Sequence, residues 1–109
     1  MALTLRPERP EDLAAARRVH ERAFSTQAEA DLVDALRAEG AHVPEICLVA
    51  LRDEQVVGHI VFSRARLVSE DGVSTPLLVL APLAVDPDLQ RGGIGAALLR
   101  EALRRAPAA

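Results

Sequence analysis

Apolar and polar positions alternate along this chain in two different periods. Leu3 to Arg6 is short and half apolar, compatible with a strand, and Pro7 and Pro10 bracket a turn after it. Leu13, Ala16, Val19 or His20, and Ala23 then recur at helical spacing through Phe24, opened by Pro10-Glu11-Asp12. A proline there loses no needed N–H, and the two acids suit the positive end of the helix dipole. Thr26-Gln27-Ala28-Glu29 is a capping-box sequence, Leu32, Val33 and Leu36 follow at helical spacing, and Gly40 suits a helix end. The period then changes. Ile46 to Leu51 is an apolar run too short for a helix and reads as a strand covered on both faces. Arg52 to Gln55 is a turn, and Val56 to Phe62, extended to Val68, is the return strand. Ser69-Glu70-Asp71-Gly72 is a hairpin turn, and Leu77 to Val85 is a further strand in which Pro82 marks a bulge or an unpaired position. Gly92 or Gly93 to about Ala106 is the last helix, with Ile94, Leu98, Leu99, Ala102 and Leu103 facing inward. The predicted class is α/β with a mixed α+β sheet, in the order β-α-α-β-β-β-α.

The junction of the last strand and last helix carries the chemistry. Leu83-Ala84-Val85-Asp86-Pro87 leads through Asp88 and Leu89 into Gln90-Arg91-Gly92-Gly93-Ile94-Gly95 and an apolar-faced helix. A helix start presents backbone N–H groups with no intrahelical acceptor, which suits an anion. Glycines let phosphate oxygens approach the main chain closely. Three glycines within four residues would each cost about 1 kcal/mol inside a helix, so an ordinary helix would not carry them. A P-loop is excluded because Ala96-Ala97 follows Gly95 and the chain has no lysine. A Rossmann fingerprint is excluded because no third glycine follows Gly95, and residues 86–92 separate the strand from Gly93.

The remaining pattern, Gln90-Arg91-Gly92-Gly93-Ile94-Gly95 after Val85-Asp86-Pro87, resembles motif A of the GNAT superfamily of N-acetyltransferases. The element order resembles the N-terminal half of that acyl-CoA N-acyltransferase fold. Small bacterial predicted N-acetyltransferases with a similar Arg6-Pro7-Glu8 strand end are the nearest likeness. The resemblance implies acetyl-CoA as acetyl donor, its pyrophosphate against Gln90, Arg91, Gly92, Gly93, Ile94, Gly95 and Ala96. Its pantetheine and thioester would lie along Leu83, Ala84 and Val85. It also implies a primary amine acceptor on a small molecule or protein, entering near the first two helices, and an oxyanion donor among the main-chain N–H groups of Leu83 to Val85. A fuller member continues with further strands and a helix bearing a tyrosine acid; this sequence ends at Ala109 and has no tyrosine. Residues 1–109 are therefore expected to form a single acetyltransferase-like domain lacking those elements. A catalytically inactive CoA-binding or dimerising remnant is the alternative, and a module that adds its edge strand to a partner's sheet is a third. The apolar edge Leu77–Val85 would invite a homodimer.

No catalytic residue is assigned. His59 reads as a satisfied strand histidine; His20 lies beside the apolar stripe of the first helix and His42 in a loop, neither with a partner suggested by spacing. Glu21 and Glu29 read as helix-solvating or capping. Arg91 resembles the phosphate-touching arginines of motif A, whereas Arg100, Arg104 and Arg105 suit a helix C-terminus.

Composition narrows the rest. With 109 residues and a net charge of -3, the chain is one domain, and two phenylalanines are its only aromatic residues among F, W and Y. Acidity without aromatic platforms argues against nucleic acid. No apolar run approaches the ~20 residues of a membrane span. Three scattered histidines and one cysteine give no zinc spacing, and no Gly-x-Ser-x-Gly elbow occurs. Cys47, between Ile46 and Leu48, reads as a buried small hydrophobe, and a cytoplasmic location is the default.

Overall fold

A computed structural model describes residues 3–106. Strand β1 (Leu3–Pro7) leads through a 3-10 turn at Pro10–Asp12 into helices α1 (Leu13–Phe24) and α2 (Ala28–Ala38). A second 3-10 turn (Pro44–Ile46) precedes β2 (Leu48–Arg52), β3 (Gln55–Val68) and β4 (Ser74–Val85), and α3 (Ile94–Arg105) closes the order. The strands form one antiparallel sheet, β1-β2-β3-β4. The expected order and class hold.

Side-chain parity along β3 assigns the layers. Gly58, Ile60 and Phe62 face α3, with Leu98 and Ile94 against Gly58. His59 and Val61 face the other way, where Val33 of α2 and Cys47 join Val61, and α1 packs on β3 and β4. A Cβ on Gly58 would sit 3.0 Å from Leu98 Cδ1 and 3.2 Å from Ile94 Cγ2, so glycine here sets how closely α3 approaches the sheet.

Local chemistry fixes the element ends. Ala41 N–H bonds the Leu36 carbonyl and Gly40 N–H that of Arg37, a Schellman motif made possible by the positive φ of Gly40. The Thr26 hydroxyl accepts from Ala28 N–H and donates to Glu29, but Gln27 is the cap residue and makes no side-chain cap bond, so the expected capping box does not form. The second strand begins at Leu48 rather than Ile46, because Pro44 starts a tight turn in which Ile46 N–H bonds Val43 O. The final helix begins at Ile94, since Gly93 takes a φ of 86°.

Pro82 sits at an irregularity, as its position in the strand suggests. Ile60 pairs with Leu83 and Phe62 with Leu80, so Ala81 and Pro82 together oppose Val61. Beyond this bulge the β3–β4 hairpin runs on past the last residue that β2 pairs, and Leu77, Leu78, Val79 and Leu80 are exposed.

Candidate functional site

The turn from β4 to α3 is held by its own side chains. Asp86 accepts from Asp88 N–H through Oδ1 at 3.0 Å, while its Oδ2 takes Arg22 of α1 at 2.6 Å. Gln90 Nε2 donates to the Val85 carbonyl at 3.2 Å. Arg91 and Gly93 take positive φ values of 71° and 86°, a conformation that turns successive amides toward a common side. Ala97 N–H bonds the Gly93 carbonyl, so the amides of Ile94, Gly95 and Ala96 open α3 without an intrahelical acceptor. Gly92 differs from its expected role: its N–H is directed to Leu89 O at 3.4 Å, because the tight turn over Pro87–Leu89 brings that carbonyl beneath it.

Strand geometry selects which β4 amides are free. Asp86 N–H donates to Val57 O of β3 at 2.8 Å. Amide direction alternates along a strand, so the Ala84 N–H also faces β3, opposite His59. The N–H groups of Leu83 and Val85 therefore point away from β3, to the edge of β4 that no other described strand pairs. The Ala84 main chain is committed to the sheet, and its side chain packs buried on the α1 side. Gly95 faces this edge, with Val85 Cγ2 at 3.7 Å and Leu83 Cδ2 at 3.9 Å from where a Cβ would stand. An open cleft of about 440 Å³ flanks the other side of the turn, lined by Leu3 and Arg52 as well as Arg91. It lies toward the β1 edge, away from Leu83 and Val85.

A second group of polar residues lies under α1, where sequence spacing gave no pairing. His20 of α1 and His59 of β3 are both fully buried, with His20 Nε2 and His59 Nδ1 2.9 Å apart. His59 Nε2 is 3.0 Å from Glu8 Oε1, and Glu8 Oε2 is paired with Arg37 of α2. The expectation for His59 holds, since both ring nitrogens are satisfied; His20 is corrected, being its partner. Burial pushes the Glu8 carboxyl upward, but the hydrogen bond with His59, together with Arg37, outweighs it and holds it below the ordinary glutamate range. Burial, with His59 and Arg37 as neighbours, pulls His20 down to about 3. His20 Nδ1 is buried with no partner among the described residues. The partners lie 29 to 51 positions apart, so only the burial parity of two histidines on facing apolar elements could have signalled the contact.

The other candidates take structural roles. Glu21 pairs with Arg17 one turn earlier, Glu29 bonds Thr26, and Arg104 and Arg105 both hold Glu101. His42 bridges to Ser63. Burial pushes the Cys47 thiol up, consistent with an inert core position. Among the described residues no cluster of three or more His, Cys, Asp or Glu could hold a metal, and no helix is long and apolar enough to cross a membrane.

Comparison with known proteins bears on this arrangement. The model of the acetyltransferase (GNAT) family matches residues 12–109. The chain belongs to the GNAT acetyltransferase family. It is 41% identical over 90 residues to the uncharacterized N-acetyltransferase YjhQ of Escherichia coli K12, covering 82% of this chain and 49% of that protein. A GNAT acetyltransferase from Brucella melitensis, crystallised with acetyl-CoA, is 42% identical with a TM-score of 0.82, covering 94% of this chain and 67% of that one. The Escherichia coli GNAT protein YhbS, crystallised with CoA, is 35% identical with a TM-score of 0.81, covering 94% and 54%. The chain thus spans about half the length of the curated relatives it matches.

Proposed function

We propose that this GNAT chain is one acetyltransferase-like domain over residues 1–109 that moves an acetyl group from acetyl-CoA to a primary amine of a small molecule or protein. The observation that carries this is the meeting of two sets of free amides. Those opening α3 at Ile94, Gly95 and Ala96 stand beside an edge on which Leu83 and Val85 present theirs. Arg91 and Gly93 complete the diphosphate cradle, with Gln90 tying it to the strand. The crystallised relatives that hold acetyl-CoA or CoA support the choice of donor.

Transfer needs an uncharged amine, a donor for the oxyanion that develops at the thioester carbonyl, and stabilisation of the departing thiolate. The outward N–H of Leu83 or Val85 is the oxyanion donor available on this edge. The amine would come from the α1–α2 side. The lone Cys47, buried and free, suits a reducing compartment, and the cytoplasm is where we place the protein.

The open edge of β4 favours one additional reading, a homodimer through Leu77–Val85. Its distal residues are apolar, exposed and, among the described residues, unpaired on that side.

An acetylation assay over a panel of amines, read as thiol release, tests the activity. Gly93→Asp places a carboxylate in the cradle at a φ that aspartate tolerates, and should cut turnover at subsaturating acetyl-CoA at least tenfold. Equal turnover by both proteins would remove the cradle from the reaction.

A further inference from the structure

Every polar group of Asp86 is engaged at the turn between β4 and α3. Its N–H donates to Val57 O of β3 at 2.8 Å, and its carbonyl accepts from Leu89 N–H at 2.9 Å. Its carboxylate is divided as well: Oδ1 accepts from Asp88 N–H at 3.0 Å and Oδ2 from Arg22 Nη1 at 2.6 Å. The Arg22 guanidinium also reaches Asp88 Oδ2 at 3.3 Å, so one cation of α1 faces both acids of the turn. From Asp86 the bonding runs on through Leu89 to the N–H of Gly92, the residue before the Gly93 cap of α3. Asp88 lines the same cleft as Arg91, Gly92 and Ile94.

We propose that Arg22 is a positioning residue for the diphosphate cradle and acts on it through Asp86. The diphosphate is that of coenzyme A, an assignment that rests on the acetyltransferase reading above. Two effects of Arg22 bear on it. The first is geometry. With Oδ2 held by Arg22, the Asp86 carboxylate keeps Oδ1 on Asp88 N–H, which fixes the tight turn Pro87–Leu89 and with it the course of residues 90–93. The second is charge. Asp86 and Asp88 lie in the segment that leads into the bare amides of Ile94, Gly95 and Ala96, and two unpaired carboxylates there would repel an incoming diphosphate. Arg22 offsets that repulsion through its bonds to both.

An exposed ion pair contributes little, and Arg22 is 52% exposed. Asp86 decides the matter, being only 17% exposed. A carboxylate oxygen largely withdrawn from water is costly to leave without its donor. The helix dipole favours a cation in the last turn of α1, but it gives no reason for that cation to reach an acid 64 positions away.

Titration calorimetry of the Arg22→Gln chain with coenzyme A and with pantetheine tests the assignment. Coenzyme A should bind about tenfold more weakly than to the parent, with pantetheine, which lacks the diphosphate, unchanged. Adding Asp86→Asn to Arg22→Gln should recover affinity, because the asparagine Oδ1 still accepts from Asp88 N–H while the unpaired charge is gone. Parent affinity for coenzyme A in Arg22→Gln, an equal loss for pantetheine, or a double variant no tighter than Arg22→Gln overturns the proposal. Amide exchange of the ligand-free chains is the independent arm. The N–H groups of Asp88 and Leu89 should exchange faster in Arg22→Gln than in the parent, with those of β2 and β3 unchanged. Equal exchange at both amides overturns the positioning. If the parent binds no coenzyme A, the acetyltransferase reading fails, and the exchange rates still decide whether Arg22 holds the turn.

Discussion

At the scale of single residues, buried ionisable groups set how the protein responds to acid. His20 has a folded-state value of about 3 against an ordinary 6.5. Between those values the unfolded chain binds a proton that the folded chain refuses, so stability falls as pH drops through that window and is unaffected above it. Glu8 is also lowered, as is Asp12, held down by its hydrogen bond to Arg6 against the opposing pull of burial. Their contributions are present above the ordinary carboxylate range and are lost on further acidification. Thermal melts should therefore begin to lose Tm below about pH 6.5, before carboxylates titrate. His20→Phe should flatten the segment from there to about pH 5, where histidine alone is responsible. A parent protein whose Tm is level from pH 7 to 5 would contradict the burial of a neutral His20. None of this chemistry was legible in the sequence. His20 and His59 look like ordinary members of apolar elements until the sheet brings α1 over β3, and Glu8 reads only as the residue after a proline.

At the scale of elements, the chain was far more legible, because periodicity and turn residues are local. Gly40 ends α2 as a Schellman glycine, Asp71-Gly72 makes the long hairpin, and Pro82 marks the β4 bulge. The misses are equally local. Pro44 turned the approach to β2 into a 3-10 turn, and Ile46 left the strand for the core beneath it. The α3 cradle was readable from Gly92, Gly93 and Gly95, but the alternation that frees Leu83 and Val85 and ties down Ala84 depends on pairing with β3. Gly58 is the element-scale test, since α3 rests on it. Gly58→Val would drive methyl groups into Leu98 and Ile94, and overpacking of this kind costs about 1–3 kcal/mol. The expected Tm loss is roughly 4–8 °C per kcal/mol for a domain of this size. Because Ile94 is the first residue of α3, CoA affinity should fall with it. A Gly58→Val protein with the parent's Tm and affinity would show that α3 does not depend on this close approach.

At the scale of the whole molecule, one edge of the sheet carries both the proposed cofactor contacts and the proposed dimer. Among the described strands β1 stands at one end of the sheet and β4 at the other, and beyond the bulge the β4 arm of the hairpin exposes Leu77, Leu78, Val79 and Leu80, while the β3 arm carries Arg64 and Arg66. Sedimentation of the chain should show self-association that rises with concentration, and Leu77→Lys with Val79→Lys should abolish it. A parent that stays monomeric across the range would leave the dimer unsupported. The central claim is that bare amides opening α3, beside the outward edge of β4, hold the diphosphate of coenzyme A. Isothermal titration with coenzyme A and with pantetheine, which lacks the diphosphate, tests it most directly. The account predicts one-to-one binding of coenzyme A, with pantetheine weaker by at least a hundredfold, about 2.7 kcal/mol. Equal affinity for the two ligands, or no heat with coenzyme A, would contradict it.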